Sequence, residues 1–161
     1  MRVLGIDPGT ATTGYGIVDF KSGREHLVGY GTIKTAAGLA MSVRLYQIKR
    51  ELVQIIQEHQ PQMVAVEELF YNRNSRTVIS VAESRGVILM TAAEAGLPIA
   101  EYTPLQVKQS VVGYGNADKK QVQLMVQRIL KIDHIPRPDD AADALAIAIC
   151  CLHSYQFAKL N

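Results

Sequence analysis

The chain has 161 residues, 48% of them hydrophobic and 20% charged, with a formal net charge of +2. These values predict one ordinary globular domain over residues 1–161, and so small a net charge does not by itself indicate a nucleic-acid-binding protein. No apolar run approaches the ~20 residues that span a bilayer, and the adjacent Cys150 and Cys151 cannot form a disulfide framework, so we expect a cytoplasmic protein.

Apolar runs rich in β-forming residues predict five strands. In chain order they cover residues 2–7, 13–20, 26–35, 63–69 and 99–103. The first three are separated only by short turns, an Asp-Pro-Gly turn after the first and a Lys-Ser-Gly turn after the second, which predicts an antiparallel meander. The last two alternate with helices, which is typical of parallel strands.

Helical periodicity predicts five helices, over residues 39–60, 75–95, 105–112, 118–132 and 139 to about 157. In the first, apolar residues recur at helical spacing from Leu45 to Ile55, and Pro61 follows its end. Asp118 is a candidate cap of the fourth. The order β-β-β-α-β-α-β-α-α-α predicts an α/β fold, a mixed five-stranded sheet (three antiparallel N-terminal strands plus two parallel) flanked by helices.

Four acidic residues stand out because their neighbours are apolar: Asp7, Glu67, Asp140 and Asp143. Asp7 and Glu67 end strands, and Asp140 and Asp143 are three residues apart on one face of the last helix. Sites in open α/β sheets gather beyond the carboxyl ends of strands. If the alanine-rich last helix lies close to that edge of the sheet, it brings all four acids together.

A cluster of carboxylates has a chemical consequence. Crowded carboxylates repel, and the usual escape is protonation or a bound cation. Oxygen ligands without cysteine or histidine favour Mg²⁺ or Mn²⁺ over zinc. Two such ions ~4 Å apart would clamp a phosphodiester, activating water on one side and stabilising the leaving oxygen on the other.

A locally basic flank lies beside the last two acids. Residues 102–137 contain six basic residues against two acidic ones. The basic residues are Lys108, Lys119, Lys120, Arg128, Lys131 and Arg137. Clustered cations attract phosphate, so this segment is a candidate path for a nucleic-acid backbone.

Ordinary structural roles stay open for several of these acids. Asp139 or Asp140 could cap the last helix, and Asp7 could simply form the Asp-Pro-Gly turn. Glu67 and Glu68 point to opposite faces of a strand, so only one of them can join the site. Glu67 is favoured because it directly continues the apolar run of that strand.

Four stretches, taken together, resemble the RuvC family of bacterial crossover junction endodeoxyribonucleases. They are GIDPGTATTGYG at 5–16, VEELFYNRN at 66–74, QVKQSVVGYGNADKKQV at 106–122 and DAADALAIAI at 140–149. The resemblance covers nearly the whole chain. It implies an RNase H-like fold and an endonuclease that resolves Holliday junctions by paired symmetric nicks in DNA recombination and repair, with two Mg²⁺ ions per active site and Mn²⁺ as a substitute.

The resemblance also assigns residues. It implies that the catalytic and metal-binding acids are Asp7, Glu67, Asp140 and Asp143, and it leaves Asp139 as an extra acid and N-cap. The DNA-binding residues that it implies are Phe70, Arg73, Arg76, Lys108 and Lys119. An aromatic ring such as that of Phe70 can stack on bases near the crossover, with core packing as its structural alternative.

A four-way junction is two-fold symmetric, so two matched nicks predict a C2 homodimer with one site per subunit. The candidate dimer surface is helix 75–95, whose apolar residues exceed what one buried face can hold. They are Val78, Val81, Ala82, Val87 and Leu89. The resemblance further implies the branch-migration proteins RuvA and RuvB as partners.

Three other functions deserve comparison. An RNase H-like nuclease acting on RNA–DNA hybrids would share the acids, but the Gly113-Tyr114-Gly115 loop with its lysines matches junction resolvases. An actin-like nucleotide-binding module, suggested by Asp-x-Gly-Thr, would need a second half to enclose ATP. A catalytically inactive DNA-binding protein would gain phosphate affinity by losing the acids that this chain keeps.

Overall fold

The computed structural model describes residues 1–69 and 75–160, with the backbone alone at residues 75, 76, 157, 159 and 160. All the predicted strands and helices are present, with ends that differ from the prediction by a few residues at most. The strands are β1 Arg2–Asp7, β2 Thr12–Lys21, β3 Arg24–Lys34, β4 Met63–Glu67 and β5 Ile99–Tyr102. The helices are α1 Met41–His59, α2 Ser75–Glu94, α3 Pro104–Val112, α4 Lys119–Leu130 and α5 Asp139–Leu160.

The five strands form one sheet in the order β3-β2-β1-β4-β5. β1, β2 and β3 pair antiparallel, whereas β4 runs parallel to β1 and β5 runs parallel to β4, so the predicted mixed sheet is confirmed. β1 and β4 are direct neighbours, and Ile6 is paired with Val66. The residues that follow them, Asp7 and Glu67, therefore end adjacent strands at the same level.

Each face of the sheet is covered by its own helices. One buried cluster joins Val3 and Ala65 of the sheet to apolar residues of α3, α4 and α5. The other joins Leu4, Ile6 and Val64 to α1 and α2. The two clusters separate because successive side chains of a strand point to opposite faces. Among the described residues, no helix is long and apolar enough to cross a membrane.

α5 lies almost in backbone contact with β1 and β2, because glycines of the sheet face it. A side-chain carbon built at Gly5 would lie 2.1 Å from the carbonyl oxygen of Ala144, and one at Gly14 would lie 2.0 Å from that of Asp140. Gly16 makes a similar approach to Leu145. The close packing of the last helix on the sheet therefore depends on small residues in both elements, the glycines of β1 and β2 and the alanines of α5.

The starts of α4 and α5 place charged residues beside the site. Asp118 caps α4 as predicted, since its carboxylate accepts a hydrogen bond from the Gln121 amide at 2.8 Å. The prediction that Asp139 caps α5 is wrong. α5 begins at Asp139 itself, and the carbonyl oxygen of Pro138 accepts hydrogen bonds from the backbone amides of Ala141 and Ala142. The Asp139 carboxylate instead accepts a hydrogen bond from the side chain of another helix: Gln123 Nε2 of α4 donates to it at 3.0 Å.

Gly5→Ala tests the contact between α5 and the sheet. The added methyl group would overlap backbone atoms that cannot turn aside, so we expect the free energy of unfolding to fall by roughly 3 kcal/mol or more. Gly38→Ala is the matched control, because a side-chain carbon there meets nothing within 4 Å. Denaturant unfolding measures both, and a Gly5→Ala protein as stable as the control would contradict the close packing.

Candidate active site

Asp7 and Glu67 lie side by side at the ends of β1 and β4 and point to the same face of the sheet. Asp7 follows Gly5 by two residues, and Glu67 follows Ala65 by two. Gly5 and Ala65 both face α5, so the period of a strand directs both carboxylates toward that helix. Glu68, the alternative acid, lies beyond the end of β4 and is exposed.

The first turns of α5 bring the other two predicted acids to the same edge. The Asp140 carbonyl lies over Gly14, which is the residue paired with Asp7 across β1 and β2. Asp143 is nearly one turn further along the helix and lines a cavity together with Glu67. Glu67, Asp143 and Asp140 are all close enough for their charges to raise the pKa of Asp7. The structure therefore brings the four acids together.

Burial and mutual repulsion make full ionisation of this cluster unfavourable. Burial, together with the charges of Glu67, Asp143 and Asp140, raises the pKa of Asp7 to about 8. Burial and the charge of Asp143 raise the pKa of Glu67 to about 7. Burial also raises the pKa of Asp143, although a hydrogen bond from Lys119 opposes that effect. In the absence of a cation, the site therefore retains protons near neutral pH.

Two of the predicted basic residues border the acids. The Lys119 Nζ atom lies 2.9 Å from Asp143 Oδ2 and 3.6 Å from Asp139 Oδ2. Lys108 lines the cavity beside Glu67. The positive charges of Lys108 and Lys119 lower the pKa of Glu67 against the larger effect of its burial. Each lysine thus offsets part of the negative charge and leaves the cluster with an excess of acids.

Asp139, the extra acid of the predicted cluster, has partners of its own. Its carboxylate accepts hydrogen bonds from Gln123 and Arg137 and lies near Lys119. The hydrogen bond from Gln123 and the nearby positive charges lower its pKa, which is the opposite direction from Asp7. Asp139 therefore behaves as an ionised surface acid next to the cluster.

A cavity of about 260 Å³ opens beside the acids. Its lining residues are Glu67, Pro104, Val107, Lys108, Lys119, Val122, Asp143 and Ala146. The lining combines two carboxylates and two ammonium groups with apolar side chains of α3, α4 and α5. Such a combination of opposite charges in a partly apolar cleft suits a phosphodiester approached by cations.

The chemistry of the donor set fits a hard divalent cation. All four acids offer oxygen ligands, which suit Mg²⁺ or Mn²⁺ better than zinc, and a bound cation would relieve the repulsion that raises the pKa of Asp7. Within residues 1–69 and 75–160 as they stand, no three Asp, Glu, His or Cys side chains are already gathered as metal ligands. The carboxylates repel one another here without forming a coordination shell.

The other predicted DNA contacts follow β4 in the sequence. Phe70 and Arg73 lie outside the described residues. Arg76 belongs to the first turn of α2, and its side chain is likewise outside the description. Their contacts with DNA stay predictions, placed only by the fact that the segment directly follows the strand that carries Glu67.

One charged residue beside the site was not predicted. The Arg85 Nε atom, on α2, donates a hydrogen bond to the carbonyl oxygen of Glu67 at 3.1 Å, and its Nη2 atom pairs with Glu101 of β5. No motif in the sequence pointed to Arg85, because its target is a backbone oxygen that any residue type presents.

Asp7→Asn tests the electrostatics of the cluster. The Asp7 carboxyl ionises near pH 4 in an unfolded chain and at about 8 in the fold. Between these values the folded state holds the extra proton, so the free energy of unfolding of metal-free protein falls as pH rises. The neutral amide escapes that loss, and we expect Asp7→Asn to be more stable than wild type by roughly 2 kcal/mol at pH 8.5.

Urea unfolding in the presence of a chelator, at pH 5 and at pH 8.5, measures this difference. Glu68→Gln is the control, because it removes a neighbouring exposed carboxylate outside the cluster. An Asp7→Asn protein that is less stable than wild type at pH 8.5 would contradict the unfavourable ionisation of Asp7.

Comparison with known proteins is consistent with this geometry. The family model for crossover junction endodeoxyribonuclease RuvC matches residues 3–151. The RuvC protein of Syntrophomonas wolfei is 69% identical over 159 residues, which cover 99% of this chain and 92% of that protein. The structure of Thermus thermophilus RuvC in complex with a Holliday junction substrate superposes with a TM-score of 0.93 at 36% identity, covering 98% of this chain and 96% of that one.

A more distant protein shares the fold alone. The yeast mitochondrial Holliday junction resolvase Ydc2 superposes with a TM-score of 0.69 at 15% identity, covering 98% of this chain and 81% of that one. The match to Thermus thermophilus RuvC confirms the predicted RNase H-like fold, and the family model and the Syntrophomonas wolfei relative confirm the predicted family. The chain belongs to the RuvC family of crossover junction endodeoxyribonucleases.

Proposed function

We propose that this member of the RuvC family is a structure-selective DNA endonuclease that resolves four-way junctions by paired, symmetric nicks. The observation that carries the proposal is the approach of four carboxylates at one edge of the sheet, where partial burial and neighbouring charges raise the pKa of Asp7 to about 8 and that of Glu67 to about 7. The relative from Thermus thermophilus was solved with a Holliday junction substrate, which supports the same class of substrate here.

We assign two Mg²⁺ ions to Asp7, Glu67, Asp140 and Asp143, with Mn²⁺ as an alternative. The family implies dependence on a divalent metal, and the all-oxygen donor set favours these two ions. Held by these four acids, such ions would supply activation of an attacking water and stabilisation of the leaving oxygen, and hydrolysis would leave a 5′-phosphate and a 3′-hydroxyl.

The protein's own residues prepare the site for that chemistry. Asp7, at the centre of the cluster, holds a proton in metal-free protein and releases it when a cation neutralises its neighbours. Lys108 and Lys119 border the cavity that Glu67 and Asp143 line, and there they would hold a DNA phosphate beside the acids.

The remaining proposed contacts with DNA come from residues that follow β4 in the sequence, up to the first turn of α2. Phe70 would stack on a base near the crossover, and Arg73 and Arg76 would bind the backbone of the junction. Their place in the sequence, between the strand of Glu67 and the start of α2, supports this role. Family membership supports RuvA and RuvB as partners and the cytoplasm, where chromosomal DNA lies, as the location.

We further propose that two copies of the chain form a C2 dimer through α2. Ile79 and Met90, which are 67% and 46% exposed, lie about three turns apart on one face of this helix. Of the residues first considered for the interface, Val87 and Leu89 pack against the core on the α1 side, so they contribute less to an outer surface. The exposed face of α2 is the stronger candidate.

Asp143→Asn tests the assignment of the acids. Loss of a metal ligand should lower cleavage of a synthetic four-way junction in Mg²⁺ by more than about 100-fold, since even the partners that support metal ligands are worth 10–100-fold. Junction binding should stay or tighten, because one negative charge facing phosphate is removed. Asp133→Asn is the control, as Asp133 is an exposed acid in the loop between α4 and α5.

The same assay compares the junction with linear duplex and with RNA–DNA hybrid, each in Mg²⁺ or EDTA. Symmetric nicks confined to the junction are expected of wild-type protein. An Asp143→Asn protein that still cuts, or a wild-type protein that prefers the hybrid, would contradict the proposed function.

Ile79→Glu combined with Met90→Glu tests the dimer. Charges placed in an apolar interface should weaken association by at least about 100-fold, because an unpaired buried charge is destabilising by about 3 kcal/mol or more. Sedimentation analysis measures the oligomeric state, with Tyr155→Glu as a control at an exposed residue of α5. A double variant that remains dimeric would exclude this face of α2.

A further inference from the structure

α2 contacts both strands that carry the acids: Ser80 and Ser84 contact the loop that follows Asp7, and Arg85 contacts the end of β4 at Glu67. The loop that follows Asp7 is held by Thr10, whose hydroxyl donates to the Ser80 carbonyl at 2.6 Å and lies 2.7 Å from the Ser84 hydroxyl. Ser84 is fully buried and Thr10 nearly so. These contacts fix the Asp7 loop against the middle of α2.

Arg85 makes the second connection. Its Nε atom donates to the carbonyl oxygen of Glu67 at 3.1 Å, and its Nη2 atom pairs with the carboxylate of Glu101 on the neighbouring strand β5. The Arg85 side chain is 17% exposed, whereas that of Glu101 is 43% exposed. The guanidinium is therefore held in a half-buried position between the end of β4 and the outer strand.

The peptide that follows Glu67 needs such support. Pairing between β1 and β4 ends at Ile6 and Val66, so the Glu67 carbonyl lies beyond the last pair on that side. On the other side, the Glu68 amide still donates to the Tyr102 carbonyl. On the β1 side, where hydrogen bonds of the sheet no longer hold the strand, Arg85 thus fixes the backbone of Glu67 instead.

We propose that Arg85 is a positioning residue, which holds the backbone of Glu67 so that its carboxylate faces Asp7 and the proposed metal ions. This inference rests on the proposed role of Glu67. Arg85 acts through geometry: the positive charges that lower the pKa of Glu67 are those of Lys108 and Lys119, and the charge of Arg85 is paired with Glu101.

The planar guanidinium suits this task. It presents donors in a fixed fork, so one side chain can bind a carbonyl oxygen with Nε and a carboxylate with Nη2 at the same time. A lysine offers a single ammonium on a flexible stem and cannot hold both partners in that arrangement. Glu101 in turn limits the positions open to the guanidinium, so its loss should release Arg85 in part.

The test compares Arg85→Gln, Arg85→Lys and Glu101→Gln, with Arg50→Gln as the control at an exposed arginine of α1. Mn²⁺ affinity is measured by calorimetry without DNA, and kcat and KM are measured on a four-way junction. For Arg85→Gln we expect Mn²⁺ affinity and kcat each to fall about 10–100-fold, with KM changed less than about threefold, as for residues that orient metal ligands. Arg85→Lys should restore only part of the loss, and Glu101→Gln should show a smaller loss.

The background variant Glu67→Gln makes the test specific. If Arg85 acts through Glu67, adding Arg85→Gln to Glu67→Gln should cause no further loss of Mn²⁺ affinity. Thermal unfolding shows whether each variant is folded, and the partly exposed Glu101 provides a change that should leave the fold intact.

Several results would overturn the inference. Arg85→Gln that raises KM and leaves kcat unchanged would make Arg85 a DNA contact. A lower melting temperature with unchanged Mn²⁺ affinity and kcat would make Arg85 a purely structural residue. If Arg85→Gln lowers Mn²⁺ affinity further in the Glu67→Gln background, Arg85 does not act through Glu67. Wild-type protein that binds Mn²⁺ but cuts no junction would refute the proposed function instead, and the Mn²⁺ titrations would still decide the role of Arg85.

Discussion

The contact between α5 and the sheet at backbone distance is the feature on which the candidate site depends. Gly5 of β1 and Gly14 of β2 face backbone atoms of the helix, so the Asp140 backbone lies directly over Gly14, the residue paired with Asp7. A larger residue at Gly14 would lift the first turn of the helix and separate its two acids from those of the strands. The alanine-rich sequence of α5 and the glycines of the sheet thus serve one purpose, which is to gather carboxylates that the chain carries far apart.

This packing makes full ionisation of the four acids unfavourable unless a cation is present. Asp19, a buried carboxylate elsewhere in the sheet, shows the contrast. Arg2 and Lys21 lie 2.8 and 2.7 Å from its oxygens, and the hydrogen bond from Arg2 lowers its pKa to about 2. Within the part of the chain that the structure describes, Asp7 forms no such ion pair; the charge of Lys119 lowers its pKa only in part, and the pKa rises to about 8. The fold pairs one carboxylate with two cations and leaves the other in need of positive charge, which is the pattern expected of a functional site.

The sequence predicted the elements of the fold well, because strand ends, helix spacing and family motifs are all local patterns. The same patterns selected four acids that the fold places near one another, and their role as metal ligands stays a prediction. The pattern favoured Glu67 over Glu68 only because Glu67 continues the apolar run of its strand. The fold supports that choice, because Ala65, two residues before Glu67, faces α5. Asp139 was mistaken for a cap because an acid at a helix start looks the same whether it binds its own backbone or Gln123 of another helix. The contact of Arg85 with the Glu67 carbonyl could not be predicted from the sequence, because every residue type presents a backbone oxygen.

Asp7, Glu67, Asp140 and Asp143 are proposed to hold the divalent ions of a nuclease. A crystal structure of the protein with Mn²⁺, with anomalous scattering recorded at the manganese edge, tests this assignment. We expect anomalous peaks within coordination distance of the Asp7 carboxylate and of the other three acids, with the Lys119 ammonium displaced from Asp143. Manganese bound elsewhere on the protein, with Lys119 still paired to Asp143 and no peak beside Asp7, would contradict the account.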